Sequence, residues 1–81
     1  MKPEKVFRIG AVSGSVFVNE VDTEGGKRQI RNVNLQRRYR DDASGDWKSA
    51  SSFGLADLPA AITVMKMALA HVASEEAETT G

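Results

Sequence analysis

The segment RQIRNVNLQRRYR, from Arg28 to Arg40, carries two different faces in alternate positions. Its odd positions are Arg31, Val33, Leu35, Arg37 and Tyr39, apolar in the middle. Its even positions are Ile30, Asn32, Asn34, Gln36, Arg38 and Arg40, rich in amides and arginine. Side chains alternate across a strand, so this pattern predicts a long strand with one face on a core and the other free for hydrogen bonds. Upstream, Asp22-Thr23-Glu24-Gly25-Gly26 is a turn by composition, and Val6–Val21 is rich in Val, Phe and Ile. Val12, Val16 and Val18 share one parity and Phe17 the other, which predicts one bent strand or two short strands around Gly14. Downstream, Asp41–Asp46 is a second turn and Trp47–Phe53 a short strand.

The chemistry changes after Gly54. Asp57 is a candidate helix cap, and Pro59 falls in the first turn, where its missing N–H costs nothing. From there to about Ser74 the chain holds no glycine and no further proline, which predicts a helix. Leu58, Ala61, Ile62, Met65, Leu69 and Val72 form one stripe expected to be buried on the sheet, and Val64, Met67 and His71 a second beside it. A helix lying on one sheet needs only one stripe. The second predicts a homodimer through the helices, with Val64, Met67 and His71 at the contact. The expected fold class is therefore α+β: a four-stranded antiparallel sheet followed by one C-terminal helix. Residues 1–5 read as a flexible lead, 6–74 as the binding domain and 75–81 as a flexible acidic tail.

At 81 residues the chain holds one domain with a thin core, a further reason to expect a second copy. It has no cysteine and a single histidine, so neither a disulfide framework nor a zinc site of the usual ligands is expected. No apolar run reaches the length of a membrane span, and no signal peptide opens the chain. The expected location is the cytoplasm, nucleoid-associated or in a phage-infected host. No metal or other cofactor is expected. His71 lies in the apolar helix, the carboxylates sit in turns or the tail, and no glycine motif cradles a phosphate, so an enzyme is not expected.

The formal net charge of zero hides an asymmetry. Residues 27–40 contain Lys27, Arg28, Arg31, Arg37, Arg38 and Arg40 and no acid, an electrostatic footprint for a polyanion. Aromatic side chains interleave with the basic ones: Tyr39 within RRYR, Trp47 before Lys48, and Phe17 opposite the valines. Single strands of nucleic acid are held by this combination, with cations along the phosphates and aromatics stacked on unpaired bases. Tyr39, flanked by arginines, is the aromatic expected to stack; Trp47 and Phe53, each taken alone, are expected to pack a core.

These residues also carry a resemblance. FRIG (Phe7–Gly10), VNLQRRYRDD (Val33–Asp42), SGDWK (Ser44–Lys48) and SSFGLADLP (Ser51–Pro59) are similar to motifs of the positive cofactor four family of transcriptional coactivators, over about residues 7–72. The resemblance implies a curved antiparallel sheet of the whirly-like kind followed by a helix, a homodimer through the helices, and single-stranded or unwound DNA across the sheet. It further implies that Tyr39 stacks on a base, that Arg37 or Arg38 takes the place of a DNA-contacting arginine aligned with Gln36, and that Lys48 is a basic contact after the acidic turn. Lys27 and Arg28 match the family's basic hairpin only approximately, and Ser51 and Ser52 replace further basic residues. Without the serine-rich acidic lead of the eukaryotic coactivator, a minimal bacterial or phage version is implied, acting in transcription, replication or repair. Two alternatives stand beside this one. A protein-interaction adaptor of the transcription or replication machinery would use the arginines on carboxylates and Phe17 or Trp47 as a hot spot. An RNA-binding module would use the same stacking platform.

Overall fold

A computed structural model describes residues 2–77. Four strands, β1 (Lys5–Ile9), β2 (Val12–Thr23), β3 (Gly26–Arg40) and β4 (Trp47–Ala50), form one antiparallel sheet in the order β1-β2-β3-β4, and helix α1 (Leu58–Glu76) follows. This is the α+β architecture that the alternation of β3 and the glycine-free C-terminal segment predict.

The break between the first two strands falls at Gly10-Ala11, not at Gly14. Gly10 adopts a φ of +58°, a conformation costly for residues with a Cβ, and this allows the tight reversal that pairs Ile9 with Val12. Gly14 instead runs through the middle of β2 beneath the helix. A Cβ there would lie 2.8 Å from Val64 Cγ1, so the missing side chain sets how closely α1 approaches.

That approach decides which helix face is buried. Ala61, Val64 and Ala68 are buried against the sheet, whereas Leu58, Ile62, Met65 and Leu69 remain exposed. The expected stripe is thus buried only in part: Ala61 faces the sheet as expected, but Val64 and Ala68 join it in place of Leu58, Ile62, Met65 and Leu69. Small residues fit the shallow floor of Val12, Gly14 and Val16, and the larger ones are turned aside. Val64, expected at a dimer contact, is fully enclosed in the core with Val12, against Phe7, Ile9, Leu35 and Phe53. Each such buried valine contributes about 1.5–3 kcal/mol by leaving water.

Parts of both ends expected to be flexible belong to the fold. The Glu4 amide donates to Val16 O at 2.7 Å, and Lys5 already belongs to β1. Glu75 and Glu76 belong to α1, and Glu76 Oε1 accepts the Arg31 backbone N–H at 2.8 Å. Residues 78–81 of the expected acidic tail lie outside the described residues. β4 ends at Ala50 instead of Phe53 because the Arg37 side chain takes the Ser52 carbonyl (3.1 Å), leading the chain off the sheet and into the helix. Asp57 stands at the helix start without capping it; its Oδ2 accepts the Gly54 N–H instead, at 3.2 Å.

The β2–β3 hairpin reaches past the helix, and the molecule measures 53 × 25 × 16 Å. Its accessible surface is 6130 Å², against roughly 4,800 Å² for an ordinary monomer of this mass.

Candidate nucleic-acid interface

The cross-strand register sorts every strand residue onto one of two faces. Val12, Gly14, Val16 and Val18 oppose Arg37, Leu35, Val33 and Arg31, and this face receives the helix. The other face is open. Across it run Val6 and Arg8 of β1, Ser13, Ser15, Phe17, Asn19 and Val21 of β2, Arg28, Ile30, Asn32, Asn34, Gln36, Arg38 and Arg40 of β3, and Trp47 and Ser49 of β4. Its strand positions hold four arginines and no carboxylate. The strand acids Glu20 and Asp22 have the opposite parity.

The expected binding residues are therefore divided. Arg28, Arg38, Arg40, Phe17 and Trp47 come together on the open face. Arg31, Arg37, Tyr39 and Lys48 lie on the helix-side parity, each with its own intramolecular partner. Arg31 grips Glu4 through two hydrogen bonds, Nε to Oε2 at 2.8 Å and the terminal nitrogen to Oε1 at 2.9 Å, with its side chain only 9% exposed. Arg37 lies 3.6 Å from Asp57 Oδ2 and stands over the Tyr39 ring at 5.3 Å. Lys48 pairs with Asp41 at 2.7 Å and, with the Ala43 amide and Ser44 hydroxyl, holds that carboxyl below its usual range. Lys27 also has helix-side parity, beyond the helix, and meets Glu20 at 3.2 Å where both are well exposed. Tyr39, the aromatic expected to stack, thus faces away from the amide row; the alternation of β3 already assigned it the parity of Val33 and Leu35.

On the open face the arginines are less encumbered. Among the described residues Arg8, Arg28 and Arg38 form no ion pair, and Arg40 Nε donates to the Gly45 carbonyl at 3.2 Å. The Arg38 guanidinium lies over the Trp47 indole, 4.7 Å from its centroid, leaving Trp47 59% exposed. Two concavities mark the surface. One, of about 400 Å³, is walled by Arg8 on one side and Arg38 with Trp47 on the other. The second, of about 550 Å³, is lined by Phe17, Asn19, Asn32 and Asn34. Arg8 was not singled out by the charge block because it lies outside it. Its signal was local: in Phe7-Arg8-Ile9 it takes the parity opposite two core residues.

A third concavity, on the helix side, is almost wholly apolar: Leu35, Phe53, Leu58, Ile62, Met65 and Leu69 line about 510 Å³. His71, expected at a dimer contact, is instead half-buried and bonds Glu4 Oε2 through Nε2 at 2.9 Å, while Met67 is 40% exposed. No helix among the described residues is long and apolar enough to cross a membrane. Comparison of the chain with protein-family models, with curated proteins and with solved structures finds no match, so the functional reading rests on the geometry of the open face.

Proposed function

We propose that the protein is a non-enzymatic single-stranded DNA-binding protein of low sequence preference, of the positive cofactor four type, acting on unwound DNA in transcription, replication or repair. The observation that carries this reading is the open face: four arginines without a carboxylate, set around the amide row Asn32, Asn34 and Gln36, with Phe17 and Trp47 on the same face. Phosphates follow the guanidinium groups, bases stack on the two aromatics, and Asn32, Asn34 and Gln36 reach base edges or sugars. A duplex keeps its bases stacked on one another and offers the two aromatics nothing to hold.

The working unit is a homodimer through the exposed helix stripe Leu58, Ile62, Met65 and Leu69; Met67, expected at the contact, falls on the opposite side of the helix from that stripe. A surface some 1,300 Å² above that of an ordinary monomer is enough to supply the ~800 Å² that each partner gives to a stable interface. The apolar groove beside Leu35 and Phe53 receives that stripe from the second copy.

Fluorescence anisotropy with labelled single-stranded and duplex oligonucleotides tests the reading. Tighter binding of the single strand, weakened by salt, is expected; preference for duplex, or no binding to either, overturns it.

A further inference from the structure

We infer that the cleft between Arg8 and Trp47 is a seat for one nucleotide that prefers keto bases, thymine or guanine, over amino bases, cytosine or adenine. This rests on the single-strand reading above and adds to it a base preference at one position of an otherwise tolerant surface.

The cleft is built in two adjoining rows of the sheet. Arg8, Ser13 and Gln36 are cross-strand partners in one row, spanning β1, β2 and β3. Arg38 and Ser49 are partners in the next, with Trp47 beyond them. The Arg38 amide donates to Ala11 O at 2.8 Å, which fixes the β1–β2 turn against β3 and closes that end. At about 400 Å³ the cleft lies near the lower end of small-ligand sites, ~300–1,000 Å³, suited to one nucleotide and not to a run of them.

Its hydrogen-bonding inventory is lopsided. Guanidinium groups only donate, and so does an indole N–H. Against Arg8, Arg38 and Trp47 stand, among side chains, only the Gln36 amide oxygen and the hydroxyls of Ser13 and Ser49 as acceptors, and no acidic residue lines the cleft. Gly10 and Ala11 contribute backbone to the lining, and the Ala11 carbonyl is already taken by the Arg38 amide. Thymine offers carbonyl acceptors, and guanine offers the O6 and N7 pair that arginine matches with its fork. Cytosine and adenine direct an exocyclic amino group at the same place, and an amino group facing guanidinium donors has few acceptors to meet.

Thymine and cytosine homopolymers of equal length separate this from stacking and charge, because both are pyrimidines on the same backbone. By anisotropy the thymine strand should bind about fivefold more tightly, within the range of one net hydrogen bond. Arg8→Ala should bring the ratio toward one, whereas Arg28→Ala, far along the hairpin, should weaken both strands and leave the ratio unchanged. Trp47 is the chain's single tryptophan, so its fluorescence reports occupancy of the cleft, and the thymine strand should quench it at lower concentration. Equal affinities, or a ratio that Arg8→Ala does not move, overturn the nucleotide seat and leave single-strand binding standing: the cleft then holds only a phosphate. Failure of both strands to bind overturns the single-strand reading and the seat with it.

Discussion

Arg38 and Tyr39 are neighbours in sequence and lie on opposite faces of the sheet: Arg38 stacks over Trp47 on the open face, while Tyr39 sits under Arg37 on the helix side. The pair of residues that reads as one basic–aromatic cluster in sequence is two separate sites in space. Trp47→Ala should therefore weaken single-stranded DNA binding by ~1–3 kcal/mol, whereas Tyr39→Ala should change it by less than ~0.5 kcal/mol, the usual limit for a surface substitution away from a site. Titration of both variants with the same oligonucleotide checks this, and an equal loss in both would place DNA on both faces.

Salt sensitivity follows from the count of open-face arginines. If Arg28, Arg38 and Arg40 each neutralise one phosphate while Arg8 meets a base, log affinity should fall with log salt at a slope of about −2 per protomer, using ~0.7 per phosphate for a single strand. Arg28→Ala should flatten that slope by about 0.7. Arg31→Ala should leave it unchanged, since its guanidinium is already held by Glu4.

The approach of α1 to Gly14 predicts a specific overpacking. Gly14→Ala places a methyl group 2.8 Å from Val64 Cγ1 and should destabilise the fold by ~1–3 kcal/mol in urea denaturation. Combining it with Val64→Ala should cost less than the sum of the single changes, because the second removes the atom the first collides with. Strict additivity would mean that the two positions do not meet.

A pH dependence follows from the clasp that joins the start of β1 to β3 and the end of α1. Hydrogen bonds from Arg31, then from His71, lower the Glu4 carboxyl from its ordinary 4.5 to about 2. Arg31 also faces Glu75 at 3.8 Å, and its backbone N–H is taken by Glu76. Because the folded-state value is the lower one, the unfolded chain binds the proton more readily. The clasp's contribution to stability is present above about 4.5 and is lost as pH falls toward 2. Urea midpoints between these limits should drop with acidification in the parent protein and less steeply in Glu4→Gln. Identical slopes would show that other carboxyls govern the acid transition.

The dimer is tested by a charge on the exposed stripe. Ile62→Asp should shift the sedimentation of the protein from dimer to monomer while keeping its circular dichroism, since Ile62 is 55% exposed in the protomer. Val64→Asp should unfold it, because Val64 has no exposure at all. A monomeric parent at micromolar concentration would remove the dimer.

The architecture was legible because β3 alternates cleanly and α1 has no interior glycine; these are local patterns with a fixed geometric meaning. Which helix stripe is buried was not legible, because it depends on Gly14 and the valines beneath, residues more than forty positions away that set the depth of the seat. The stripe pattern favoured Leu58, Ile62, Met65 and Leu69 for the core beside Ala61; the space available kept Ala61 and replaced the larger residues with Val64 and Ala68. The candidate site was legible in part. The parity of Asn32, Asn34, Gln36 and Arg38 put them on one face, but Arg8 and Ser13 join them only through cross-strand register. Arg31 and Lys48 could not be withdrawn from the basic footprint until their partners Glu4 and Asp41 were located.

Side-chain amide and indole N–H resonances, recorded by nuclear magnetic resonance as a thymine oligonucleotide is added, test the central claim most directly. Asn19, Asn32, Asn34, Gln36 and Trp47 all belong to the open face, and Gln29, paired with Glu20, belongs to the other. If DNA lies across the open face, the first five signals shift in proportion to occupancy and Gln29 stays in place. Movement of Gln29 with the five stationary, or shifts confined to α1, would contradict it.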